Sequence, residues 1–181
     1  FQKFVEDIEK SIKIFKNKLG YNPIYFSYPF GEYNLEQKNY ISNNFEFAFG
    51  QHSGVIDLNK DRYELPRFPI NEKYGEIKRF KEVISYLPLQ YKIIKPENKF
   101  MNDGENPPKM TIEFFENQKN LENINCFSNE GSKWRKTKII LNDNILNINF
   151  SEKFIERRGR INCSLKDENG WRFSGFQFVQ N

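Results

Sequence analysis

Near Pro88 the sequence changes its period, and that change sets the two kinds of structure the chain can build. Before it, apolar residues recur at helical spacing and alternate with short apolar runs. Phe4, Ile8, Ile12, Phe15 and Leu19 fall on one face of a 3.6-residue period, which predicts a helix over residues 2–19, stopped by Gly20. Residues 24–28 form a short apolar run closed by Pro29 and Gly31, the pattern of a buried strand ending in a turn. Asn34 and Gln37 make a capping-box pattern, opening a helix to about Ser42. Strands are expected at 45–50 and 65–70, the second confined to an edge by Pro66 and Pro69. Ile77, Phe80, Ile84 and Leu87 mark a further helix over 75–86. Such alternation implies a largely parallel sheet with helices outside it, an α/β unit over residues 1–90.

After Pro88 the helical period disappears. Strand-like runs at 110–116, 124–128, 138–141, 145–150, 160–165 and 171–179 are separated by turn signals. Asn142-Asp143-Asn144 and Asp167-Glu168-Asn169-Gly170 are the clearest of these turns. An all-β, sandwich-like domain over residues 91–181 is the expectation.

Composition narrows the function classes. The chain has 181 residues, room for one large domain or two small ones. With 19 Phe and a single alanine, Ala48, its core must be built from large rings and isoleucines. Net charge is only +4 and no dense Lys/Arg block occurs, which argues against a nucleic-acid partner. Arg157, Arg158 and Arg160 form the tightest basic group and read as a solvated loop. No run approaches the ~18 apolar residues of a membrane span. Cys126 and Cys163 match no metal or redox spacing; buried free thiols and a bridge between neighbouring strands both fit. His52 is the single histidine, so every imidazole role falls on it, and no metal ligand is assigned in this chain.

Three segments look unlike plain scaffold. Tyr28-Pro29-Phe30-Gly31 ends a strand, where ligands sit in parallel α/β sheets. Gln51-His52-Ser53 lies between Gly50 and Gly54 after the next strand, offering three polar side chains to a hydroxylated ligand. Arg67 is held between Pro66 and Pro69 and suits either an interface ion pair or the positioning of a carboxylate.

These segments, in this order, resemble a known family. A helix, Leu19-Gly20-Tyr21-Asn22-Pro23, a strand, Tyr28-Pro29-Phe30-Gly31-Glu32-Tyr33, a helix, then residues 45–54 are similar to the later part of NodB-type polysaccharide deacetylases, carbohydrate esterase family 4. Leu65-Pro66-Arg67-Phe68-Pro69 is similar to the end of such domains in surface-polysaccharide members. The resemblance covers about residues 1–75. It implies the C-terminal half of a distorted β/α barrel, followed by an accessory domain. It also implies deacetylation of an acetylated polysaccharide or oligosaccharide by water on a divalent metal, zinc or similar. The family's Thr-Phe-Asp-Asp and His-x-x-x-His metal motifs do not occur here, and Ser27 stands near the place of the third motif's arginine. The metal motifs are therefore expected upstream, with this chain alone inactive. Its expected contributions are a sugar-groove wall from Tyr28, Pro29, Phe30 and Gly31, polar contacts from Gln51 and Ser53, a general acid at His52 and a positioning arginine at Arg67. A periplasmic or cell-surface setting is favoured over the cytoplasm, and no oligomeric state is implied. The alternative is a non-catalytic glycan-binding or cell-surface polysaccharide assembly protein, with Trp134 and Trp171 as stacking candidates.

Overall fold

A computed structural model describes residues 1–102 and 104–180. Its first element is α1 (Gln2–Leu19), which ends where Gly20 takes the left-handed conformation at φ 83°. Strand β1 (Tyr25–Ser27) leads through a tight turn at residues 29–31 to α2 (Leu35–Ser42) and β2 (Phe47–Phe49). The Asn34 side chain accepts from the Gln37 backbone N–H at 2.8 Å while the Gln37 side chain accepts from Asn34 N–H at 3.0 Å, closing the capping box. With α2 as crossover, β1 and β2 pair in parallel. Ile8, Tyr28, Tyr33, Ile41, Phe45 and Ala48 form a small core beneath them.

This unit is not half of a β/α barrel. Among the described residues strand outweighs helix, 33% to 24%. The parallel pairing stops at two three-residue strands, because Leu65 meets Phe49 through a single bridge. Pro66 and Pro69 lack the N–H groups that a third full strand needs. The helix expected over 75–86 forms as α3 (Ile77–Ile84), but it covers no sheet. Its apolar face is open to solvent, with Ile77 68%, Phe80 41% and Ile84 65% exposed.

The rest is open sheet. β4 (Tyr91–Lys95), β6 (Met110–Phe114), β10 (Ile145–Asn149) and β9 (Lys138–Asn142) form a four-stranded antiparallel sheet in the order β4-β6-β10-β9. The second sheet runs β3-β12-β11-β7-β8, from β3 (Leu87–Pro88), β7 (Asn125–Ser128), β8 (Arg135–Lys136), β11 (Arg158–Asp167) and β12 (Gly170–Gln180). The short β5 (Phe100–Met101) adds to β12 in parallel. Residues alternating along β6 and β10 (Met110, Ile112, Phe114, Leu146, Ile148) share one core with Ile161, Leu165 and Phe178 of the second sheet. Cys126 and Cys163 stand opposite each other in the β7–β11 register and are joined by a disulfide, which decides between the two readings of that pair.

The two halves meet along β12. Gly175 N–H donates to Ser53 O at 2.6 Å, and the Phe173 ring packs on Phe68 and Tyr86. Arg157 donates through Nε and a terminal nitrogen to the Glu32 carboxylate, and Arg158 lies 3.4 Å from its other oxygen. The basic group at 157–160 thus serves a junction ion pair more than a solvated loop.

Candidate functional site

The expected sugar-groove residues come together, but in a changed role. Tyr28 N–H donates to Phe49 O at 3.0 Å, which brings the 28–31 turn beside the end of β2. A Cβ on Gly31 would lie 2.4 Å from the Gln51 nitrogen, so only glycine lets the two turns touch; its φ of 69° requires glycine as well. Phe30 also sits at positive φ, 57°, a strained position for a ring-bearing residue. The Gln177 side chain of β12 holds it by donating to Phe30 O and Gly31 O.

Of the two rings at this turn, only Phe30 is open, 62% exposed and covered on one face by the Arg158 guanidinium at 5.2 Å. Tyr28 is buried, stacked on Tyr33 with centroids 4.4 Å apart. Its hydroxyl has no hydrogen-bond partner among the described residues. Pro29 opens the turn. Gln51 and Ser53 are half-buried, and the Ser53 carbonyl is used in the contact with β12. The Arg67 N–H donates to His52 O at 3.0 Å, fixing the His52 loop through backbone, while its guanidinium remains exposed. Trp134 and Trp171, the alternative stacking residues, are 53% and 47% exposed.

Behind this turn lies a charged cluster that no sequence segment announces. Glu64, just before Leu65, accepts from Tyr33 Oη at 3.0 Å and from Lys38 Nζ at 3.2 Å. Lys38 Nζ also donates to Asp61 at 2.7 Å. Burial pushes the Glu64 carboxyl upward, but the Lys99 and Lys38 ammoniums and the Tyr33 bond outweigh it and hold the group below the usual carboxylate range. Burial, reinforced by Glu64, raises the Tyr33 hydroxyl. Tyr28 is raised by burial and by Asp61 and Glu64.

His52 stands next to this cluster. Burial lowers its imidazole to about 4; Lys60 and Lys99 add to the effect and Glu64 opposes it. At pH 7 the ring is therefore neutral, a form that accepts a proton rather than supplies one. In the unfolded chain the ring titrates near ~6.5. Between that value and about 4 the unfolded state binds more protons, so stability falls as pH drops through this window. Because His52 is the single histidine, its Cε1–H resonance reports the titration directly. A midpoint near 4 is expected; a midpoint near 6.5 would contradict the placement of the ring beside Lys60 and Lys99.

The cluster forms one end of a cleft of about 1290 Å³, larger than the ~300–1,000 Å³ of most ligand pockets. β4 and the turns after it supply the opposite wall, including Tyr91, Asn98 and Lys99. Lys60 also lines the cleft, its ammonium 4.0 Å from the Tyr91 ring centroid and 3.4 Å from Ser174 Oγ. Burial lowers this amine to about 8, against the pull of Asp57 and Glu64.

Compared with family models, curated proteins and solved structures, the chain matches none.

The described residues do not suit a divalent metal. No three His, Cys, Asp or Glu side chains among them converge on one point. Asp61 and Glu64 are both paired with Lys38, and Lys99 acts on Glu64 as well, charges that repel a cation. No helix among them is long and apolar enough to cross a membrane.

Sequence reasoning missed Lys38, Lys60, Glu64, Tyr91 and Lys99 as a set. Their separation along the chain hides them, and each lysine alone resembles an ordinary solvated charge. Glu64 had one signal, its place beside Leu65-Pro66 at a strand end.

Proposed function

We propose that this chain is a glycan-holding part of a polysaccharide deacetylase, and that by itself it binds sugar without hydrolysing it. The observation that carries the reading is the cleft between the 59–64 segment and β4, lined by polar side chains and by the Tyr91 and Phe100 rings. The order and spacing of the segments over residues 1–75 support the family, although the barrel does not. The zinc-like metal that the resemblance implies would be held by other residues, since those described do not fit it. The cross-strand Cys126–Cys163 bridge supports an oxidising compartment, periplasmic or at the cell surface.

A second reading, a non-catalytic glycan-binding or surface-polysaccharide assembly protein, draws support from the lysines crowding Asp61 and Glu64. An Asp-Asp pair and a His-x-x-x-His motif elsewhere in the full protein would favour the enzyme; their absence would favour this alternative. Incubation of the 181-residue chain with acetylated chito-oligosaccharides and zinc should release no acetate, while calorimetry should detect binding. Chelator-sensitive acetate release would overturn the inactive-fragment reading, and absence of binding would overturn the glycan reading.

A further inference from the structure

Among the cleft's charges, Lys99 is the least exposed of the lysines that no carboxylate touches directly. It is only 8% exposed, yet among the described residues its ammonium makes no ion pair or hydrogen bond. Its one close companion is the Phe178 ring, 5.7 Å from the nitrogen to the centroid. Glu64, Glu97 and Asp61 all act on it without touching it, and the Glu64 oxygens are engaged by Lys38 and Tyr33. Its ammonium therefore opens onto the cleft, where an anionic group of a ligand can reach it.

The surroundings indicate what would. Six lysines and four carboxylates line the cleft. Lys38 and Lys92 are paired, with Asp61 and Glu64 and with Glu113 respectively. Lys60, Lys95, Lys99 and Lys109 are in no ion pair among the described residues, and neither are Glu97 and Glu105, which leaves the cleft with a small excess of positive charge. No arginine lines it, so the planar fork that grips phosphate is missing. Glu97, Glu105 and the asparagines beside them suit the hydroxyl groups of a sugar. Lys60 already covers the Tyr91 ring, which hinders base stacking.

We propose that the cleft takes a carboxylate-bearing sugar, a uronate unit of an acidic glycan, with its carboxylate held by Lys99 and Lys60. This rests on the glycan reading and adds the substrate class to it. A charge-assisted contact at a buried site should favour the acidic ligand over a neutral one by about tenfold or more.

The test is calorimetric titration of the 181-residue chain with tetragalacturonate and with neutral tetra-N-acetylchitotetraose, repeated for Lys99→Met and Lys60→Gln. Tighter binding of tetragalacturonate is expected, with the preference lost in Lys99→Met and weakened in Lys60→Gln. Lys99→Met should still fold, because Glu64 keeps Lys38 and Tyr33, and its melting temperature is measured beside the parent's. If it does not fold, Lys60→Gln decides the matter by the same loss of preference. Equal affinity for both ligands, or a preference that survives the substitutions, would overturn the acidic-sugar assignment while leaving the glycan reading in place. Binding of neither ligand would overturn both. Binding of a single-stranded oligonucleotide in preference to either sugar would point to another partner and overturn the proposal.

Discussion

Glu64→Gln should lower the melting temperature by roughly 6–12 °C, which corresponds to ~3 kcal/mol for a chain of this size. Glu64 is the anion on which the inner charges depend: its side chain is 18% exposed and binds Lys38 and Tyr33. Glutamine keeps the shape and loses the charge. Lys38 then retains Asp61, while Lys99 loses the nearest balancing charge. The loss is therefore smaller than for a pair with no backup, and Glu64→Gln combined with Lys99→Met should recover part of it. The carboxyl is held below its usual range, so its contribution is complete above ordinary glutamate values and disappears as pH falls through the depressed one. The difference between parent and variant should accordingly shrink in acid. A melting shift under 1 °C at pH 7, or a difference that grows in acid, would show that the cluster is not organised by Glu64.

Replacing both Cys126 and Cys163 by alanine should cost about 3–4 kcal/mol, because their bridge closes a loop across a sequence separation of 37 residues in the unfolded chain. The two residues face each other across β7 and β11, fully buried, with Cα atoms 4.1 Å apart. Short alanine side chains there also leave a small void in the core, which adds to the cost. A melting shift of roughly 8–16 °C follows at this chain length. Non-reducing peptide mapping of protein from an oxidising compartment should recover the two cysteines as one linked fragment. Two free thiols in that protein, or an unchanged melting temperature in the double variant, would contradict the bridge.

Local structure was largely legible in the sequence, because each feature rests on neighbouring residues. Gly20 as a helix stop, the Asn34/Gln37 capping box and the turns at Asp143 and Gly170 all depend on chemistry within a few positions. The barrel expectation failed because alternation of helix and strand does not specify closure. Closure needs further strands, and the prolines at 66 and 69 reduce the next one to a bridge at Leu65. β4 and β5 were also missed: Tyr91-Lys92-Ile93-Ile94-Lys95 breaks the apolar alternation with lysines and a bulge, and β5 is only two residues long. The turn pair carrying Tyr28, Phe30, Gly31, Gln51 and His52 was found through strand ends and glycines, which are local signals. The cleft was not, since Lys38, Lys60, Glu64 and Lys99 are joined only by tertiary packing. Tyr28 went from sugar platform to core ring because its neighbour in space, Tyr33, is five residues away across a turn.

The central claim is that a glycan lies in the cleft between the Glu64 cluster and β4. Amide chemical-shift mapping of the 181-residue chain titrated with tetragalacturonate tests it most directly. Saturable shifts at Tyr91, Asn98, Lys99 and Phe100, with Lys60 and Glu64 following, are the predicted result. Shifts confined to the Trp134 and Trp171 indole N–H groups, or none at all at millimolar ligand, would contradict it.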